Sequence, residues 1–190
     1  MAMPESPTLL LTAQERMPGL LAAFLAPRNP LAERLSEAMH YAVMNGGKRV
    51  RPALVFGAVQ AVGGNVLRAE SAAIAVELVH CYSLVHDDLP CMDDDNLRRG
   101  VPTCHKVFGE ATALLAGDTL QALAFIALGE GRVSAEGTAD QLRALAMAAA
   151  DMAVGQALDL AGEGQSLDVA ALEQIHRHKT GALIRASVAL

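Results

Sequence analysis

Apolar residues recur at helical spacing along most of this chain, and glycine and proline mark where each run stops. Leucines from Thr8 to Ala26 fit one helix, closed by Pro27 and Pro30. Leu31, Leu35, Ala38, Met39 and Ala42 mark one face of a second helix that Gly46 and Gly47 end. Pro52 suits the first turn of a third. After Gly63-Gly64, the run Leu67 to Asp88 is apolar around almost its whole circumference, which predicts a central buried helix. Thr103 to Phe108 predicts a short helix, Ala111 to Leu128 a long buried one and Ala139 to Leu160 an alanine-rich one. Asp168 to Leu190 reads as a final amphipathic helix. Residues 1–7 hold two prolines and are expected to fray.

Composition sharpens this to an all-α fold. The chain is 52% hydrophobic but only 3% aromatic, so its core is aliphatic, and sparse β-branched residues favour close-packed helices. Its 190 residues suit one domain, 1–190. A net charge of −6 argues against a nucleic-acid surface. Cys81, Cys91 and Cys104 form no Cys-x-x-Cys pair, which fits a reducing cytoplasm rather than a disulfide framework or zinc site. The N-terminus lacks a basic region ahead of its apolar run, unlike a secretory signal. The strongly apolar uncharged stretch Pro52 to Leu67 is 16 residues long and glycine-interrupted, so no membrane span is expected.

Residues 86 to 99, His-Asp-Asp-Leu-Pro-Cys-Met-Asp-Asp-Asp-Asn-Leu-Arg-Arg, place five aspartates within nine positions and follow them with two arginines. Magnesium takes oxygen ligands, typically one or two carboxylates with substrate phosphates. Asp87, Asp88 and Asp93 suit it, and Arg98 and Arg99 could grip phosphate oxygens bidentately. An acidic loop or calcium-type surface patch is the alternative. On an unbroken helix Asp87 and Asp93 would point about 240° apart. Pro90 removes that obstacle, because the helix should bulge or end near Leu89 and swing Asp93 back. A second basic set, Gly46-Gly47-Lys48-Arg49-Val50-Arg51-Pro52, emerges from a tight turn. Arg49 is left as a helix-surface residue. His80 and Asp87 share a helical stripe with Ser83 or Leu84. Asp118, alone in an apolar run, should brace a lysine or arginine of the site. Gln156 and Asp159 share a face, either beside the metal site or paired with each other.

Six motifs in order resemble the trans-isoprenyl diphosphate synthases: the 46–52 stretch, Asp-Asp-x-x-x-x-Asp at 87–93, Arg98-Arg99-Gly100, Leu-Ala-Gly-Asp at 115–118, Gly-Gln-Ala-Leu-Asp-Leu at 155–160 and His-Lys-Thr-Gly at 178–181. The resemblance implies an isoprenoid-synthase-type helical bundle and a short-chain prenyltransferase. Such an enzyme joins dimethylallyl or geranyl diphosphate to isopentenyl diphosphate with Mg2+, as a cytoplasmic homodimer. It assigns metal binding to Asp87 and Asp93 with Asp88 in support. Lys48, Arg51, His80 and Arg99 hold isopentenyl diphosphate, while Lys179 and Thr180 contact the allylic diphosphate, Lys179 with a catalytic role. It also makes Tyr82 the limit on product length, whereas helical spacing points to Ser83. A class I terpene cyclase and a non-catalytic helical module are the competing readings. The family's second aspartate-rich motif lies on a later helix that this sequence does not reach. The chain is therefore expected to be an incomplete bundle, prone to oligomerise and nearly inactive alone.

Overall fold

A computed structural model describes residues 6–26 and 32–190, with side chains from residue 9 onward; Pro27, Pro30, Leu31 and residues 1–5 lie outside the described residues. The helices are α1 (Ser6–Phe24), α2 (Glu33–Met44), α3 (Val50–Ala61), α4 (Glu70–Asp87), α5 (Cys104–Phe108), α6 (Glu110–Gly129), α7 (Ala135–Gly162), α8 (Val169–His176) and α9 (Ala182–Ala189). A two-stranded antiparallel ribbon, β1 (Leu97–Arg98) with β2 (Val101–Pro102), interrupts them after α4. The all-α expectation holds, and the ribbon is the one element type that helical periodicity could not foreshadow.

Helix α4 is the centre. All eight residues from Ala72 to Val79 are buried, and Val76, Leu78 and Val79 are fully enclosed. Each such aliphatic side chain contributes about 1.5–3 kcal/mol relative to exposure. Its most extensive neighbour is α6, which runs antiparallel: Ser71 lies beside Gly131, and at the other end His86 lies against Gly117. Ala113, Ala116, Leu120, Ala124, Ala127 and Leu128 form the buried stripe of α6. Small residues let the two backbones approach closely.

Two expectations are corrected here. The segment Asp168 to Leu190 is not one uninterrupted α-helix, because a π-helical turn, Arg177–Gly181, separates α8 from α9. Arg49 is not a helix-surface residue; it is 5% exposed and ion-paired. Two helices, α6 and α7, are long and apolar enough to cross a membrane by length and composition. Asp118 in α6 and the mixed charges of α7 hid this from a search for uncharged stretches. Both helices pack within the bundle.

Candidate diphosphate site

The chain reverses where α4 ends. Asp88 caps the helix, and Leu89-Pro90 turns the backbone so that the Asp93 N–H donates to the Asp87 carbonyl at 2.8 Å. Asp94 takes a positive φ of 48° and donates to the Leu89 carbonyl. The two aspartates that an ideal helix would separate thus become neighbours, as Pro90 implied. Asp88 takes another path. Its carboxylate is 3% exposed and accepts from Arg98 Nε at 2.8 Å, while Arg98 also donates to Asp95. The structure therefore places Arg98 on Asp88.

The ribbon explains why adjacent arginines diverge. Arg98 pairs with Val101, so Arg99 and Gly100 form a two-residue turn, and both have positive φ, 56° and 84°. That is the primed geometry that suits strand twist, and it is uncommon for a non-glycine residue. It sends the Arg99 guanidinium to the Gly46 carbonyl, across Gly47. A Cβ at Gly47, whose φ is 123°, would overlap that guanidinium.

Two adjoining clefts result. The first, about 340 Å³, is lined by His80, Tyr82, Ser83, His86 and Asp87 from α4, Met152, Gln156 and Leu160 from α7, and Lys179 and Thr180 from the π-turn. The second is lined by Lys48, Arg49, Arg51, Glu77, His80 and Arg99. Arg51 and His80 line both. In the first cleft Asp93 accepts from Gln156 Nε2 at 3.1 Å, and Lys179 Nζ donates to Asp159 at 2.6 Å. Gln156 and Asp159 thus stand beside the aspartates rather than pairing with each other. Tyr82 and Ser83 both face the first cleft, Tyr82 edge-on to His86.

Electrostatics separate the two clefts. Burial pushes the Asp87 carboxyl up to about 6; Lys179 opposes the shift, and Asp93 adds to it. His80 is held down at about 3, first by burial and then by Arg51 and Arg99, so it is neutral at neutral pH. Burial also lowers Arg51, with Glu77 opposing that effect. Asp118 is corrected: it is exposed, and its ion-pair partner is His86 at 3.8 Å rather than a lysine or arginine. Glu77 was missed, although it is the one acidic residue between Ser71 and His86 in an otherwise apolar helix. That isolation was the available signal.

The Asp87 shift yields a test. The folded state holds this proton more tightly than the unfolded chain does, since its carboxyl titrates above the ordinary 3.8. Its contribution to stability is therefore fully present below about pH 4 and is lost as pH rises through about 6. Metal-free melting curves should show the wild-type Tm falling relative to Asp87→Asn over that interval. A constant difference would refute the assignment.

Among the described residues no three His, Cys, Asp or Glu side chains converge into a protein-only metal cage. Two crowded carboxylates, Asp87 and Asp93, beside an open cleft match the donor set of magnesium, which retains waters and shares phosphate oxygens. Asp88 is already engaged by Arg98.

A helical bundle carrying these clefts is the isoprenoid-synthase-type fold. An isoprenoid synthase family member from Thermotoga neapolitana superposes with a TM-score of 0.84 at 36% identity, over 93% of this chain and 67% of that one. Residues 32–190 match the polyprenyl synthetase family model, and the chain belongs to that family. A geranyltransferase from Legionella pneumophila superposes with a TM-score of 0.89 at 38% identity, covering 96% of this chain and 66% of that one. Farnesyl diphosphate synthase of Escherichia coli is 49% identical over 175 residues, 90% of this chain and 58% of that protein. Geranylgeranyl pyrophosphate synthase 4 of Arabidopsis thaliana is 48% identical over 168 residues, 85% and 45% respectively. The chain spans about half the length of these curated relatives.

Proposed function

We propose that this chain forms the two diphosphate subsites of a short-chain prenyltransferase that joins an allylic diphosphate to isopentenyl diphosphate, giving geranyl or farnesyl diphosphate. The observation that carries the reading is the pair of clefts sharing Arg51 and His80, one lined by the Asp87 carboxylate and Lys179, the other by Lys48, Arg49 and Arg99 with Glu77 its one carboxylate. Two diphosphates held side by side need this division. Asp87 and Asp93 would hold Mg2+, with Asp88 fixing the end of α4 through Arg98. Magnesium bound there supplies charge neutralisation for a diphosphate leaving group. Lys179 and Thr180 bind the same allylic diphosphate. Lys48, Arg51, neutral His80 and Arg99 orient isopentenyl diphosphate so that its double bond faces the allylic carbon, which turns a collision into a positioned reaction. Leu84, Met92, Met152 and Leu160 line the first cleft and keep water from the allylic cation. A homodimer in a reducing cytoplasm belongs to this reading. Leu114, Leu115 and Ile126 leave apolar surface on α6, and the three cysteines are free.

Calorimetric titration tests it. Isopentenyl diphosphate and an inert allylic thiolodiphosphate should bind independently, the second only with magnesium. Mutual competition for one site would refute the two-cleft reading. Tyr82 bears on the product: it lines the first cleft about 7 Å along α4 from Asp87, at 1.5 Å rise per residue. Tyr82→Ala is expected to lengthen the products of condensation. An unchanged distribution would move the limit to Ser83 or to another helix.

A further inference from the structure

Arg49 and Glu77 form part of the wall of the basic cleft, with their charged ends turned to each other. Their side chains are 4% and 2% exposed, and they form an ion pair of 2.5 Å between Nη1 and Oε1. The second terminal nitrogen of Arg49 donates to the Val43 carbonyl at 2.8 Å. One guanidinium thereby joins the last turn of α2, the first residue before α3 and the middle of α4. Stability alone does not call for such a pair, because well-packed apolar residues of similar volume are often as stable as a buried ion pair. Its location suggests another use.

The loop that carries the cations has unusual backbone. Gly46 and Gly47 have φ of 77° and 123°, and Arg49, the residue capping α3, is left-handed at 53°. A non-glycine residue in that region persists where its surroundings over-determine it. Here the surroundings are Glu77 and Val43. With Arg49 turned inward, Lys48 is left exposed on one side and Arg51 lies at the junction of the clefts on the other. Glu77 also stands one helical turn before His80, so the carboxylate that anchors the loop belongs to the same face of α4 as a ligand-facing side chain.

On the two-cleft reading above, we infer that the Arg49–Glu77 pair is a positioning device for the basic cleft. It locks the left-handed start of α3 so that Lys48 and Arg51 meet the same diphosphate as His80 and Arg99. Neither member touches that diphosphate.

The test is a split between the two clefts. Replacing the pair with apolar residues, Arg49→Met with Glu77→Met, keeps the buried volume and removes the tether. Affinity for isopentenyl diphosphate, measured by calorimetry, should fall at least tenfold, while affinity for an inert allylic thiolodiphosphate with magnesium changes less than twofold. Arg49→Lys keeps the charge but cannot span Glu77 and the Val43 carbonyl together, so it should show the same split with a smaller loss. It decides the matter if the double variant does not fold. Unchanged isopentenyl diphosphate binding in the folded variants would overturn the inference, and so would equal losses at both clefts, which is what a general structural role gives. Failure of the wild-type chain to bind isopentenyl diphosphate would instead overturn the functional reading beneath it.

Discussion

In a protein extended through the later aspartate-rich motif, Asp93→Ala is expected to lower magnesium-dependent condensation by at least about a hundredfold, the scale on which removing one electrostatic stabiliser acts. Thermal stability should scarcely change. The Asp93 side chain is exposed and accepts from Gln156, while the turn that returns it to Asp87 is held by its backbone N–H, which alanine retains. The contrast is Asp88→Ala. There the buried carboxylate that ties the end of α4 to Arg98 is lost and Arg98 keeps only Asp95, so stability falls along with function. Initial rates and melting temperatures of both variants distinguish the two roles. Near-normal turnover for Asp93→Ala would refute the proposed metal site.

Gly155→Ala should disable the allylic side from a distance. Gly155 is buried in α7, and a Cβ there would overlap the backbone nitrogen and Cα of Lys179. Backbone cannot rotate aside as a side chain does, so the π-turn must shift. Overpacking of this kind costs about 1–3 kcal/mol, a Tm loss of several degrees at about 2–4 °C per kcal/mol for a chain of this size. Lys179 would also lose its seat against Asp159 at the cleft. Affinity for the inert allylic thiolodiphosphate should fall at least tenfold, with isopentenyl diphosphate binding retained. Equal retention of both ligands would show that the π-turn does not depend on the glycine.

The same two regions show how far reading the residues goes. Pro90 announced that α4 would end and return Asp93 towards Asp87, because a missing donor and a ring clash are local facts. Gly46-Gly47 likewise announced the loop that presents Lys48 and Arg51. The π-turn had no such mark. Thr180 and Gly181 are weak helix formers, but that weakness does not specify a π-turn, and the turn lies where α7 packs against it at Gly155. Asp118 was misjudged for a related reason. Its position within an apolar run implied burial, but α6 packs on one side and leaves that position in solvent.

What the sequence determined by itself was the helical class, the central place of α4 and the clustering of charge that marks the candidate site, since periodicity, chain breakers and clustered charge act over a few residues. Only the tertiary structure decided which charges serve each other. Arg49, Arg98 and Asp88 look like ligand-binding residues or surface charges along the chain. Packing buries Arg49 on Glu77 and Asp88 on Arg98, because a charge removed from water must find a partner wherever the fold supplies one. The distances that match these partners, 28 residues in one case and 10 in the other, are set by how helices cross and chains turn, and no local pattern records them.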